Sequence, residues 1–312
     1  MLSLMEYLNN QGKYRCLYIN VESAQAARGN VEKGIQSILN TLAKKALFTL
    51  KDPFMNEIWK KILDESGELD ALKDTLSQWS QNDEKPVVLL IDEIDSLVGD
   101  TLISVLRQLR SGYPDRPLSF PQSIILCGVR DVRDYRIYSN KEQTIVTGGS
   151  AFNIKTKSLR IGNFNIEEIR SLYLQHTKET GQVFNEAIFP LVWELTEGQP
   201  WLVNALGYEV CFEIEEGLNR KKEIDADMIL QAKENLILQR ATHLDQLSDK
   251  LKEERVRMII RAILEGREAI RVPMDDIDYV VEIGLVKKDR QIRISNQIYL
   301  EFILKYRKDF GL

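Results

Sequence analysis

The run Val87-Val88-Leu89-Leu90-Ile91 limits the fold more than any other feature, because five consecutive aliphatic residues end directly on Asp92-Glu93. The run is short, does not alternate with polar residues and is rich in β-branched side chains, so it reads as a strand buried on both faces. Strands of that kind belong to parallel sheets whose two faces are covered by helices. Two more runs share the character, Cys16-Leu17-Tyr18-Ile19-Asn20-Val21 and Ser123-Ile124-Ile125-Leu126-Cys127-Gly128. Between them lie helical stripes. Val31, Ile35, Ile38, Leu39, Leu42 and Ala46 recur at i, i+4, i+7 and i+8, and Leu102, Val105, Leu106 and Leu109 do the same. The stretch 52–81 is expected to be helical with a break near Ser66-Gly67, turning Ile58, Ile62, Leu69, Leu72 and Leu76 inward and using Trp59 and Trp79 as packing anchors. Strand, helix, strand at this spacing predicts a parallel α/β unit.

The pattern changes after Arg160. Asn165 and Glu168 have the spacing of an N-cap and its reciprocal acid, and Ile169, Leu172 and Tyr173 begin a helical region that runs to about Arg240. Inside it Gly198 closes one helix and Pro200 suits the first position of the next. The tail carries a helix through Leu251, Val256, Ile259 and Ile263, a short helix over 277–283, and the paired runs Leu285-Val286 and Ile292-Arg293-Ile294 around Lys288-Asp289-Arg290. Helices followed by a small hairpin suggest a winged helix. The expected domains are 1–162, 163–240 and 241–312.

Acids placed just past the carboxyl end of a buried parallel strand stand at the sheet edge where ligands bind in open α/β folds. In nucleotide hydrolysis an aspartate there helps hold Mg²⁺ through its water shell, and an adjacent carboxylate polarises the attacking water. The plainer explanation is solubility, since Asp95 makes this turn acidic in any case. Composition narrows the rest. A chain of 312 residues, 44% apolar and 29% charged, buries a substantial core, and a formal charge of −5 exerts no overall pull on nucleic acid or an anionic membrane. Cys16, Cys127 and Cys211 are odd in number and far apart, which fits a reducing compartment, with Cys16 and Cys127 as buried thiols. With only His176 and His243 besides, no metal-ligand spacing appears. No apolar run approaches the ~20 residues that span a bilayer, and the opening residues have no leader pattern, so the expectation is a cytoplasmic protein without a membrane segment.

The strand and acids VVLLIDEID, the strand SIILCGVRD, the helical segment EGQPWLVNAL and the hairpin-bearing tail together resemble the STAND and archaeal-ATPase branch of AAA+ proteins, over nearly the whole chain. The resemblance implies an α/β, parallel-sheet P-loop NTPase core, an α-helical lid and a C-terminal winged helix. It also implies ATP and Mg²⁺ as ligands and a conformational switch with a protein partner or self-association. Asp92 would assist Mg²⁺ through water, Glu93 would polarise water, Arg130 (or Asp131 beside it) would sense the γ-phosphate, and Gly198 and Pro200 would lie against the adenine. Read from the residues alone, Arg130 is an arginine in a charged loop with Arg133, Asp134 and Arg136, and Gly198-Gln199-Pro200 is a helix stop and restart.

One part of the pattern is missing. A phosphate loop needs G-x-x-x-x-G-K-[ST] between a strand and a helix, so that backbone N–H groups and the lysine cradle the phosphates. The 312 residues contain no such segment. Gly12-Lys13 lies after a helix and before a strand, lacks the first glycine and is followed by Tyr14. The helix suggested by Leu4, Met5 and Leu8 matches the place where the helix after a phosphate loop would run out. The core is therefore expected to lack its first strand, either because the native protein starts upstream or because another strand fills the slot. On this reading the chain alone binds nucleotide poorly. The alternatives are a non-enzymatic interaction scaffold and a winged-helix DNA-binding regulator using Lys288, Arg290 or Arg293, although the acidic stretch 275–282 would repel phosphates.

Overall fold

The computed structural model describes residues 1–129, 137–139, 144–146, 157, 159, 161–240, 242–267 and 272–312. The chain divides into two compact units, Met1–Leu159 and Arg160–Leu312.

In the first unit α1 (Leu2–Asn10) precedes β1 (Arg15–Asn20), followed by α2 (Val31–Lys45), α3 (Phe54–Ser66), α4 (Ala71–Asn82), β2 (Val87–Asp92), α5 (Gly99–Ser111) and β3 (Ser123–Leu126). The three aliphatic runs form one parallel sheet in the order β1-β2-β3. Arg15 faces Val87 and Asn20 faces Asp92, while Val88 faces Ser123 and Ile91 faces Leu126. All three strands thus end at the same edge. Alternation along β1 and β2 sends Leu17, Ile19, Leu89 and Ile91 to one face, where α2, α3, α4 and α5 bury them with Trp59 and Trp79. Cys16, Val88 and Leu90 face the other way and are covered by Met1, Met5 and Leu8 of the α1 segment. Trp79 is an anchor with a polar partner: its Nε1–H donates to Oδ2 of the buried Asp52 at 2.8 Å. β3 pairs only with β2 among the described residues and is half-exposed along its length, with Ile125 at 37%.

The break at Ser66-Gly67 occurs as expected, with Gly67 capping α3 at φ 69°. Leu69 does not turn inward; it is 55% exposed in the turn between α3 and α4, where helical spacing no longer applies. Cys127 is half-buried rather than buried, because it lies one residue beyond β3 at the open edge. The short strands β4 (Ile137–Ser139) and β5 (Thr144–Val146) pair antiparallel and have no counterpart in the sequence reading.

The second unit contains α6 (Ile166–Thr180), α7 (Ile188–Thr196), α8 (Pro200–Tyr208), α9 (Glu215–Leu218), α10 (Ala226–Leu238), α11 (Thr242–Leu251), α12 (Glu254–Leu264) and α13 (Met274–Glu282). The antiparallel pair β6 (Val286–Lys288) and β7 (Ile292–Ile294) and then α14 (Gln297–Tyr306) complete it. The capping box at α6 forms in both directions: Asn165 Oδ1 accepts the Glu168 N–H at 2.9 Å, and Glu168 Oε2 accepts the Asn165 N–H at 2.8 Å. The helix expected through Leu251 and Val256 is two helices, α11 and α12, because the chain turns at Lys252-Glu253 and Glu253 adopts an extended conformation. α14 was not anticipated; Phe302 and Ile303 on it are fully buried. One apolar cluster runs through the whole unit, from Ile169 and Tyr173 through Leu202 and Ile259 to Phe302 and Phe310.

Candidate functional site

Asp92 is the last residue of β2, and its carboxylate is fixed at both oxygens. Tyr18, on the neighbouring strand, donates its hydroxyl to Asp92 Oδ2 at 2.7 Å, and the Glu93 N–H donates to Oδ1 at 3.0 Å. On the other side burial, and after it a hydrogen bond to Asp92, push the Cys127 thiol up to about 11. The bond to Asp92 likewise raises the Tyr18 phenol to about 12. Asp92 is therefore an acceptor flanked by donors from β1 and from the end of β3.

Glu93 follows in the left-handed region, φ 57° and ψ 38°. For a residue with a Cβ this conformation costs on the order of 1–2 kcal/mol, and such outliers concentrate at functional sites. The turn is held regardless: the Glu93 carbonyl accepts the Ser96 N–H at 2.9 Å and the Ile94 N–H reaches the Cys127 carbonyl at 3.0 Å. The Glu93 side chain points into solvent. Partial desolvation at the edge and then the charges of Asp95, Asp92 and Glu22 push its carboxyl above the ordinary range. Such a carboxylate is a better proton acceptor than an isolated surface glutamate.

Asp95, which the sequence shows only as a further acid in this turn, has a defined place. Its Oδ2 accepts the Val129 N–H at 3.0 Å, and its Oδ1 is buried without a hydrogen-bond partner among the described residues. A Cβ on Gly128 would come within 2.8 Å of that oxygen, so the glycine lets the end of β3 close onto the acidic turn. Asp95 thereby braces the segment that leads to Arg130. Arg130 itself, with Asp131, lies outside the described residues.

The helix α1 runs antiparallel to β1. Its carboxyl end is pinned at the start of that strand, where Asn9 Nδ2 donates to the Cys16 carbonyl at 2.9 Å and Asn9 Oδ1 accepts the Cys16 N–H at 2.8 Å. Met1, Met5 and Leu8 lie against Cys16, Val88 and Leu90 on the same face of the sheet as Tyr18. Asp92, Tyr18 and Cys127 converge on one face of the carboxyl edge of the sheet.

Gly198 and Pro200 belong to the second unit. α7 ends at Thr196, Glu197 and Gly198 are both left-handed with φ 46° and 72°, and Pro200 is the first residue of α8. The Gly198 carbonyl accepts the Phe164 N–H at 2.8 Å, and a Cβ at Gly198 would stand 1.8 Å from the Phe164 carbonyl oxygen. Glu197 grips the β6–β7 hairpin, accepting Lys287 Nζ and Arg293 Nη1 at 2.5 Å each. Burial pushes the Glu197 carboxyl up, but the bonds and charges of Arg293 and Lys287 outweigh it and hold the carboxyl below the ordinary range.

No protein-family model matches the chain, and no curated protein matches it. Among solved structures, the Walker-type ATPase of Pyrococcus abyssi aligns with 96% of this chain and 85% of its own, at 16% identity and a TM-score of 0.58. The chain has the fold of a P-loop ATPase. Cdc6p from Pyrobaculum aerophilum aligns with 99% of this chain and 83% of its own at 14% identity and a TM-score of 0.46. The Thermotoga maritima RuvB Holliday junction branch migration motor covers 75% and 74% at 18% identity and a TM-score of 0.40. What this chain shares with the Pyrococcus abyssi ATPase is an α/β fold with a parallel sheet followed by helices. Among the described residues no helix is long and apolar enough to cross a membrane.

The sequence reading missed Tyr18, Cys127 and Asp95 as members of the site. For Tyr18 a signal existed: period-two alternation puts it on the face of Cys16, and a hydroxyl near the carboxyl end of a buried strand needs a partner.

Proposed function

We propose that this chain is the greater part of an ATP-dependent switch of the STAND and archaeal-ATPase type. The observation that carries the reading is the placement at one sheet edge of an Asp92 oriented by Tyr18 and, directly after it, a left-handed Glu93. The edge suits Mg²⁺ in one particular way. Among the described residues no cluster of three or more ligating side chains is arranged to hold a metal by itself. Mg²⁺ commonly takes one or two carboxylates and completes its shell with water and substrate phosphates. Bound with nucleotide, Mg²⁺ would neutralise phosphate charge. Asp92 would orient its water shell, and Glu93, with its raised carboxyl, would accept a proton from the attacking water. Arg130 would sense the γ-phosphate, and Gly198 and Pro200 would lie against the base. In this reading 163–240 acts as lid and 241–312 as a winged helix that passes the nucleotide state to a protein partner or a second copy.

The phosphates need a Gly-rich Lys-Ser/Thr loop that the 312 residues do not contain, so this chain alone is proposed to bind nucleotide poorly. A second reading, an interaction scaffold on the ATPase fold, is favoured by that same lack. A DNA-binding role is disfavoured by the engagement of Lys287 and Arg293 with Glu197 and by the acidic first turn of α13. The deciding experiment tags the protein at Leu312 in its native locus, establishes its translated length by intact mass, and titrates it and the 312-residue chain with Mg²⁺–ATP by calorimetry. Binding by the native protein that disappears in D92A/E93A supports the switch. No binding by either leaves the scaffold.

A further inference from the structure

The face of β1 and β2 that carries Cys16, Val88 and Leu90 is apolar, and a phenylalanine at position 18 would fill it as well as tyrosine does. The Tyr18 hydroxyl has one hydrogen-bond partner among the described residues, Asp92 Oδ2, across 74 positions of sequence. A hydroxyl bonded to a carboxylate is charge-assisted and short, roughly twice as strong as a neutral pair. It also restricts a side chain that would otherwise rotate at the strand end. With the Glu93 N–H on Oδ1 and the Cys127 thiol beside it, Asp92 is left a single orientation.

We propose that Tyr18 is a positioning residue of the nucleotide site, holding the Asp92 carboxylate in the one orientation that receives the water shell of a metal-bound nucleotide. The inference rests on the proposed function. It assigns the work of orienting Asp92 to the neighbouring strand β1, whereas the acidic motif lies entirely on β2. It also explains why the parallel register matters: Tyr18 faces Leu90, two residues before Asp92, so its ring reaches forward along the sheet to the carboxylate at the edge.

The test uses the protein at its native translated length. ATP affinity is measured with Mg²⁺ and with EDTA for wild type, Y18F, D92N and the double variant, together with thermal unfolding of each. The expected result is a drop of about tenfold in affinity for Y18F when Mg²⁺ is present, no change in EDTA, and no further loss when Y18F is added to D92N. A merely structural tyrosine would lower the unfolding temperature and affect both titrations equally. Equal loss with and without metal, or losses that add in the double variant, would overturn the role of Tyr18 while leaving the proposed function standing. Absence of Mg²⁺–ATP binding by the wild type would overturn both.

Discussion

Gly198→Ala is the substitution whose cost the structure defines most closely. Two penalties apply. Alanine must adopt φ 72°, which for a residue with a Cβ costs about 1–2 kcal/mol. The new methyl group would also sit 1.8 Å from the carbonyl oxygen of Phe164, a backbone atom that cannot rotate away. Relief requires the 163–165 segment to move, which strains the Phe164 N–H to Gly198 carbonyl bond at 2.8 Å and the nearby capping box. Overpacking of this kind costs about 1–3 kcal/mol. The expected destabilisation is therefore about 2–5 kcal/mol, a large part of the roughly 5–15 kcal/mol that holds a typical domain together. Because the chain has two units, the assay must resolve them. Hydrogen exchange read by mass spectrometry along a urea gradient, comparing peptides from 166–208 with peptides from 31–66, separates the second unit from the first. Protection should fall in the former and remain in the latter. A loss below about 0.5 kcal/mol in the second unit would show that the turn relaxes freely and would refute the close-approach argument.

Three further outcomes are expected. Asn165→Ala removes the side-chain acceptor of the Glu168 N–H, one half of the α6 capping box, and should cost about 1 kcal/mol in urea unfolding, whereas Asn165→Ser should recover most of it. Glu197 has a folded carboxyl below the ordinary range, so on acidification the unfolded chain protonates first. The contribution is present above roughly pH 4.3 and is lost as pH falls through the lower folded value, and Glu197→Gln should remove this acid-sensitive component from the pH–stability curve. His243 stacks on Trp201 at 4.8 Å and meets the Tyr299 hydroxyl at 2.6 Å through Nε2, and burial holds its imidazole below the ordinary value. The unfolded chain then takes up that proton first, so stability should decline as pH drops below roughly 6.5, an effect absent from His243→Gln.

What the sequence alone determined is local. The aliphatic run before Asp92 specifies a buried strand because a polar residue inside it would lose hydrogen bonds to water. The pair Asn165 and Glu168 specifies a helix start because three-residue spacing brings each side chain to the other's backbone N–H. Pro200 specifies a first helical position because its fixed φ suits that place and its missing N–H costs nothing there. These effects act over a few residues, so they can be read without knowing the fold. They fail where the chain leaves regular structure: Leu69 keeps helical spacing in a turn and is exposed, and Lys252-Glu253 interrupts an unbroken apolar stripe.

Only the tertiary structure decided which distant groups meet. Parallel register brings Tyr18 to Asp92, closure of the β3 end brings Val129 to Asp95, and packing of the hairpin brings Lys287 and Arg293 to Glu197 across 90 and 96 residues. None of these partners is specified by spacing, because a hydroxyl or a carboxylate accepts many equivalent partners at the level of sequence. The burial of large apolar surfaces, which carries most of the folding energy, brings the backbones together, and the polar contacts form among the groups that this packing leaves within reach.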